Sequence, residues 1–186
     1  MVNSCLIQAL KNDDDRSMDE LFERYWEFVF DVVFKKLGDE EVAQDITQEI
    51  FISLWENRKT IDLTGPLTGY LYGAVKYRVI NYFRSETRRN GHHAELSYLM
   101  NLELSEKTDS KLLLNDLNKE VETALDLLPE RMRLVVSMSR QQDRSIREIA
   151  SELGISAQTV KNQITAAMKI LRESLSYTVL IIFLFC

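Results

Sequence analysis

Cysteine, proline and glycine are all scarce in this sequence. Its 186 residues include two cysteines, two prolines and six glycines. Cys5 and Cys186 lie at opposite ends of the chain, which argues against a disulfide framework and suits a reducing cytosol. The scarcity of helix breakers, together with long stretches of periodic apolar residues, predicts a mostly helical protein. Because no signal peptide precedes the first helix, we expect a cytoplasmic protein.

The sequence also lacks the residue patterns of an enzyme or a metal site. It contains no nucleophile–base pair, no phosphate-binding glycine loop and no metal-ligand spacing. His92 and His93 are adjacent, but no Cys or Asp is arranged around them, so we assign them no metal. We therefore expect a protein that is not an enzyme, has no cofactor and takes no small-molecule substrate.

Long hydrophobic runs are absent as well. Residues 177–186 are apolar and uncharged, but a helix that spans a bilayer needs about 20 such residues. We favour a final segment that is tucked against the domain before it. The alternative is an exposed tail that docks on a membrane or an inhibitory partner and is prone to aggregate.

Positive charge is scarce overall but is concentrated in two segments. The chain has a net charge of −6, whereas residues 70–93 and residues 131–173 each carry +4. The rest of the chain therefore carries −14. Two basic segments in an acidic chain indicate local contacts with phosphates rather than general attraction to polyanions.

Residues 145–171 have the pattern of a helix-turn-helix, a motif that places its second helix in a DNA major groove. Ser145 and Glu148 have the spacing of a capping box at the start of the first helix. Gly154 is suited to the turn because it has no Cβ, and Ser156 is a good N-cap for the second helix.

The second helix of this motif has separate apolar and polar faces. Four apolar residues fall on the side that we expect to face a core: Val160, Ile164, Ala167 and Leu171. Five polar residues fall on another side, where they can bond to base edges and phosphates: Gln158, Lys161, Asn162, Thr165 and Arg172. The alternative is an ordinary solvated face of a helical hairpin, but the caps and the glycine favour DNA binding.

The remaining periodicity predicts an all-α protein of two small helical domains joined by a flexible linker. In the first domain, residues 1–89, we expect helices over 17–37, 40–57 and 70–88. The linker is residues 90–111, which are polar and acidic. The second domain is residues 112–176, with a helix over 112–127 and another that opens at Pro129. Residues 177–186 form the apolar C-terminal tail.

The helix predicted over 70–88 carries aromatic and basic side chains in one line. That line contains Tyr70, Tyr77, Asn81, Arg84 and Arg88. The opposite arc, which we expect to be core, contains Leu71, Tyr72, Val75, Val79, Tyr82 and Phe83. Aromatic faces stack on unpaired bases and Arg holds the backbone, so the line suits opened or single-stranded DNA. The alternative is a helix with half-packed tyrosines and solvated arginines.

The helix predicted over 40–57 has one side that suits a protein partner. Ala43, Ile50 and Leu54 lie together and should be buried. Another side presents apolar, amide and acidic groups, among them Asp45, Gln48, Glu49, Ile52 and Trp55. Aromatic residues are enriched at the centres of protein interfaces. The alternative is that Trp55 belongs to the domain core.

In this order, the motifs resemble those of an extracytoplasmic-function (ECF) sigma factor of the sigma-70 family. The resemblance extends from about Leu10 to Leu175. Its most specific stretches are residues 45–58, Tyr70-Leu-Tyr72, Asn81-Tyr-Phe-Arg84, Leu128-Pro129, Glu148-Ile-Ala150, Gly154-Ile-Ser156 and Thr159-Val-Lys161. The resemblance implies a protein that binds core RNA polymerase and directs promoter-specific initiation by recognising the −10 and −35 elements and melting the promoter. The alternative is a helix-turn-helix regulator that acts without polymerase.

The resemblance also implies a role for each surface. Asp45, Gln48, Glu49, Ile52 and Trp55 would bind the β′ clamp helices of polymerase. Tyr70, Tyr77, Asn81, Arg84 and Arg88 would bind the −10 element, and the loop from Ile61 to Gly69 would capture bases. Gln158, Lys161, Asn162, Thr165 and Arg172 would read the −35 element, while the second domain binds the β flap. An anti-sigma factor is a further expected partner. Many members have Asn where this chain has Tyr77, so its base contact would differ.

Overall fold

The structure, a computed structural model, describes residues 2–61, 66–89, 110–176, 179–180 and 183–184. Side chains are described from Leu6 onwards, except for those of residues 87–89 and 110–117. Within these limits the regular secondary structure is helical, which confirms the predicted all-α class. The helices are α1 (Val2–Lys11), α2 (Asp15–Leu37), α3 (Glu40–Glu56), α4 (Leu67–Arg89), α5 (Ser110–Asp126), α6 (Glu130–Arg140), α7 (Ile146–Leu153) and α8 (Ala157–Ser174).

The chain divides into two compact units, Met1–Val79 and Ile80–Cys186. The boundary falls inside α4, so this helix contributes its first half to one unit and its second half to the other. The predicted linker, residues 90–111, lies almost wholly outside the described residues, as do His92 and His93.

The first unit is built mainly on the packing of α2 against α3. Asp14 caps α2 by accepting the backbone N–H of Arg16, and Gly38 ends it in the left-handed conformation with φ of 65°. Asp39 then caps α3 by accepting the N–H of Val42. The short turn brings the two helices side by side. Ala43, Ile50 and Leu54 are buried, as predicted from their spacing.

Three aromatic residues on the apolar arcs of α2 and α4 are exposed. Phe22 and Phe28 follow the apolar period of α2 but are 39% and 38% exposed. Tyr72 of α4 was expected in the core and is 42% exposed, so that prediction is wrong. The Lys36 ammonium lies 5.6 Å from the centre of the Tyr72 ring, which favours an aromatic face near the surface. Helix α1, which packs against α2, was not predicted from the sequence.

The second unit contains the predicted helix-turn-helix in α7 and α8. The Ser145 hydroxyl accepts the N–H of Glu148, and the Glu148 carboxylate accepts the N–H of Ser145, which completes the capping box. Gly154 has φ of 63° and Ser156 caps α8, both as predicted. The four residues expected in the core, Val160, Ile164, Ala167 and Leu171, are buried. Pro129 is the N-cap of α6 rather than its first residue.

In the described part of the apolar tail, three side chains are buried within this unit and Phe183 is half-buried. Val179, Leu180 and Leu184 are each at most 2% exposed. The Arg140 guanidinium donates to the Leu184 carbonyl at 3.5 Å and lies 5.4 Å from the centre of the Phe183 ring. These contacts support the first alternative, a segment tucked against its own domain. Among the described residues, no helix is both long and apolar enough to cross a membrane.

Candidate functional sites

The first surface lies on α3. Asp45, Gln48 and Glu49 are exposed, Ile52 is 49% exposed and Trp55 is half-buried. The Glu49 carboxylate accepts a hydrogen bond from the Arg78 guanidinium at 2.7 Å, which ties α3 to the first half of α4. The predicted residues therefore share an accessible face, and the alternative in which Trp55 is a core residue does not hold.

An open groove of about 420 Å³ runs beside this face, between α2 and α3. Its lining combines apolar side chains with acidic and amide groups: Asp15, Met18, Asp19, Phe22, Gln48, Phe51, Ile52 and Trp55. Gln48, Ile52 and Trp55 were assigned to an interface from the sequence, whereas Phe51 and the four residues from α2 were not. A signal was present, because Phe22 and Trp26 are four residues apart and widen the apolar arc of α2 beyond its core stripe.

Three aromatic rings support one wall of the groove. The centre of the Phe22 ring is 4.6 Å from that of Trp26 and 5.1 Å from that of Phe51. Trp26 and Phe51 are stacked with centres 6.1 Å apart. Aromatic pairs at these separations attract each other beyond their burial, so the rings are held in place. An exposed but ordered apolar wall of this kind is typical of a protein-binding surface.

The second surface lies on α4. Tyr77 is 65% exposed, the highest value among the large exposed hydrophobic residues of the described chain. Tyr70 is half-buried, and burial raises the pKa of its phenol above the ordinary 10.0. Farther along the same helix, Asn81 and Arg84 are half-buried, and the Asn81 oxygen accepts from Arg84 at 3.4 Å.

Two parts of the predicted −10 surface fall outside the described structure. The side chain of Arg88 is one, and residues 62–65 of the loop from Ile61 to Gly69 are the other. At the ends of this loop, Ile61 is buried, whereas Pro66 and Gly69 are exposed.

The third surface lies on α8. Gln158, Asn162 and Thr165 are exposed and Lys161 is half-buried. The Gln158 amide donates to the Asn162 oxygen at 3.1 Å, so these two side chains occupy one stretch of the helix surface. Arg172 differs, because its guanidinium lies 5.5 Å from the centre of the Phe83 ring and the residue is half-buried. Its contact with DNA stays a prediction.

The described residues contain no group of three or more His, Cys, Asp or Glu that could hold a metal ion. What the structure presents is three surfaces of different chemistry. One is an aromatic groove with acidic groups, one is a helix with an exposed tyrosine, and one is a capped helix with amide, hydroxyl and ammonium groups. The first suits a protein and the other two suit nucleic acid.

Comparisons with known proteins find two family regions in the chain. Residues 21–89 match the family described as Sigma-70 region 2, and residues 118–171 match Sigma-70, region 4. The chain is 23% identical over 182 residues to the ECF RNA polymerase sigma factor SigW of Bacillus subtilis. The matched region covers 94% of this chain and 97% of that protein. The chain is 26% identical over 164 residues to SigE of Mycolicibacterium smegmatis, covering 86% of this chain and 62% of that protein.

Solved structures give a weaker likeness. The RsbN–BldN complex is 15% identical with a TM-score of 0.38, and its matched chain covers 91% of this chain and 99% of itself. CnrH in complex with the cytosolic domain of CnrY is 18% identical with a TM-score of 0.40, covering 92% of this chain and 97% of that one. The two family regions and the near-full-length relatives show that this chain belongs to the sigma-70 family, as a promoter-directing sigma factor of the ECF type.

Proposed function

We propose that the three surfaces divide the work of promoter-specific initiation in the cytoplasm. The α2–α3 groove and the exposed side of α3 bind core RNA polymerase, Tyr77 of α4 captures an unpaired base of the −10 element, and α8 reads the −35 element. The protein has no reaction of its own and lends its specificity to the polymerase. An anti-sigma partner stays a prediction.

The chemistry of the first surface supports a polymerase contact. The groove has an ordered aromatic wall, and Asp15, Asp19, Asp45 and Glu49 place carboxylates on α2 and α3. Charged groups around an apolar centre steer and orient a partner, while the apolar centre supplies most of the affinity. A helix that presents an apolar side chain between basic residues fits this arrangement, and the clamp helices of β′ are the occupant that the family resemblance implies.

The observation that carries the melting role is the exposure of Tyr77. A ring with 65% of its surface in solvent offers a face on which a base can stack. Opening DNA costs about 1.4 kcal/mol per stacking step, and one captured base returns about 1–3 kcal/mol. Capture of one or two bases offsets much of the cost of opening, and the polymerase contacts supply the rest.

The caps of α8 support its role in reading duplex DNA. Ser156 caps the start of the helix, so Gln158, Lys161 and Asn162 lie in its first two turns. Residues near the start of a recognition helix are those that reach base edges. The Gln158 amide nitrogen donates to the Asn162 oxygen in the free protein, so a DNA contact that reorients either amide must break this bond. Lys161 adds one positive charge beside them.

The proposal is tested by run-off transcription with core polymerase on a promoter that the factor recognises. We expect Tyr77→Ala to lower open-complex formation about five- to a hundredfold, the range that one lost stacking contact gives. Tyr77→Phe keeps the ring and should stay close to wild type. The matched control is Tyr72→Ala, which removes another exposed ring of α4 from the opposite arc.

A template already mismatched across the −10 element separates melting from other defects. Because its bases are unpaired in advance, this template should restore much of the activity of Tyr77→Ala. If Tyr77→Ala and Tyr72→Ala lose activity equally, or if Tyr77→Ala keeps full activity on duplex DNA, then Tyr77 has no special role in strand opening.

A further inference from the structure

One side chain that the proposed polymerase surface needs is held by two residues that were assigned to no site from the sequence. Trp55 is the next-to-last residue of α3 and lines the α2–α3 groove. A residue at the end of a helix has fewer neighbours to fix its side chain than one in the middle. The orientation of this indole ring therefore depends on what packs against it from outside α3.

Arg58 provides that packing. Its guanidinium lies 4.0 Å from the centre of the Trp55 ring, a close cation–π contact. The same group donates to the Trp55 carbonyl at 2.7 Å, an oxygen in the last turn of α3 that also accepts the Arg58 backbone N–H at 3.2 Å. A positive group also suits the negative end of a helix. Arg58 thus contacts both the ring and the backbone of Trp55.

Asp13 in turn holds Arg58. Its carboxylate accepts the Arg58 Nε–H at 2.7 Å and lies 3.0 Å from the Lys59 ammonium. The bonds from Lys59 and then from Arg58 hold the pKa of Asp13 below its ordinary 3.8, so it is charged at neutral pH. Asp13 lies in the turn between α1 and α2 with φ of 62°. Its backbone N–H is bonded to the Leu10 carbonyl at 3.1 Å, so the turn is ordered.

We propose that Asp13 is a positioning residue for Trp55: by holding Arg58 over the indole ring, it fixes Trp55 at the edge of the groove that binds polymerase. Asp13 itself is not a contact residue in this proposal. The link joins the α1–α2 turn to the end of α3 across 45 residues of sequence. It rests on the proposed polymerase role of Trp55, and the test below separates the two claims.

The test compares Asp13→Asn with wild type in the full-length protein. Asn adopts the left-handed conformation about as readily as Asp, so the turn is kept and only the charge is removed. We expect the dissociation constant for core polymerase to rise about two- to fivefold, the range that one ion pair near a surface supports. In a Trp26→Phe background, Trp55 is the remaining tryptophan of the two in the chain. In this background, Asp13→Asn should raise the acrylamide quenching of Trp55 fluorescence.

Glu20→Gln is the matched control. It removes one negative charge and weakens the exposed pair between Glu20 and Arg24 at 2.7 Å on α2, and neither residue lines the groove. It should change neither the quenching nor the affinity. If Asp13→Asn lowers thermal stability more than this control does, Arg58→Lys is used as the test variant in place of Asp13→Asn. That variant keeps the charge but removes the planar group over the ring, so it should raise quenching and weaken binding.

A double-mutant cycle with Trp55→Ala decides between positioning and an independent effect. If Asp13 acts through Trp55, adding Asp13→Asn to Trp55→Ala should cause no further loss of affinity. An equal loss in both backgrounds would overturn the positioning role, as would unchanged quenching and affinity in Asp13→Asn. If Trp55→Ala itself binds polymerase as wild type does, the proposed polymerase surface is what fails.

Discussion

We expect replacement by alanine to have opposite effects on stability at two glycines of this protein. Gly154 ends α7 with φ of 63°, and a Cβ built there meets no heavy atom within 4 Å. The cost of Gly154→Ala is therefore set by the backbone alone, about 1–2 kcal/mol for a left-handed alanine. Gly73 lies inside α4 and also has open space around a built Cβ. Because alanine is the better helix former, Gly73→Ala should stabilise the first unit by about 0.5–1 kcal/mol.

Thermal unfolding measures both effects. Each kcal/mol moves the midpoint of a domain of 60–100 residues by about 4–8 °C. We therefore expect Gly154→Ala to lower the transition of the second unit by at least that amount, and Gly73→Ala to raise the transition of the first. Gly154→Asn should fall between wild type and Gly154→Ala, since asparagine tolerates the left-handed region better than alanine does.

Two outcomes would contradict this explanation of the stability changes. If both alanine variants shift stability in the same direction, the sign is not set by the backbone angle. If Gly154→Asn is no more stable than Gly154→Ala, the left-handed conformation of residue 154 is not what the glycine provides. Binding to a duplex that carries only the −35 element, at a temperature where each variant is folded, should stay close to wild type because Gly154 lies outside α8.

Three further predictions concern the N-cap Ser145, the half-buried Tyr70 and the C-terminal tail. Ser145→Ala removes half of the capping box of an eight-residue helix and should cost about 1 kcal/mol in chemical denaturation, whereas Ser145→Asp should cost less. The raised pKa of Tyr70 means that its contribution to stability is full below pH 10.0 and is lost as pH rises through its folded pKa. The difference in phenolate absorbance between wild type and Tyr70→Phe should therefore titrate above pH 10.0. Deletion of residues 177–186 removes the three side chains that are buried in the described part of the tail. It should cost roughly 4 kcal/mol or more, and an unchanged denaturation midpoint would show that the tail adds nothing to the core.

Features that depend on neighbouring residues were predicted correctly from the sequence. The capping box joins Ser145 to Glu148, three residues away. Gly154 adopts the left-handed conformation because glycine has no Cβ. The buried residues of α8 follow from one apolar face with a regular period. In each case the cause lies within about one turn of helix, so no knowledge of the tertiary fold was needed.

Features that depend on how helices meet were predicted less well. Periodicity gives the direction of a side chain but not how far a neighbouring helix covers it. Phe22 follows the same period as the buried Leu21 and Val29 and yet is exposed, because it stands beside the groove rather than beneath it. The angle of Arg172 on α8 did not show that its guanidinium meets the ring of Phe83, and its contact with DNA stays a prediction. The contact of Asp13 with Arg58 spans 45 residues, and no local rule predicts it.

The two exposed tyrosines of the first half of α4 differ in whether a cation lies near the ring. Tyr72 and Tyr77 are about 140° apart on the helix, and both are in solvent. The Lys36 ammonium lies near the ring of Tyr72, so a base that stacks there must compete with a cation. Among the residues that the structure describes, no ring or cation contact involves Tyr77. The ring that the sequence placed in line with Asn81 and Arg84 is therefore also the one whose face is open to a base, which is why Tyr77→Ala, and not Tyr72→Ala, should impair strand opening.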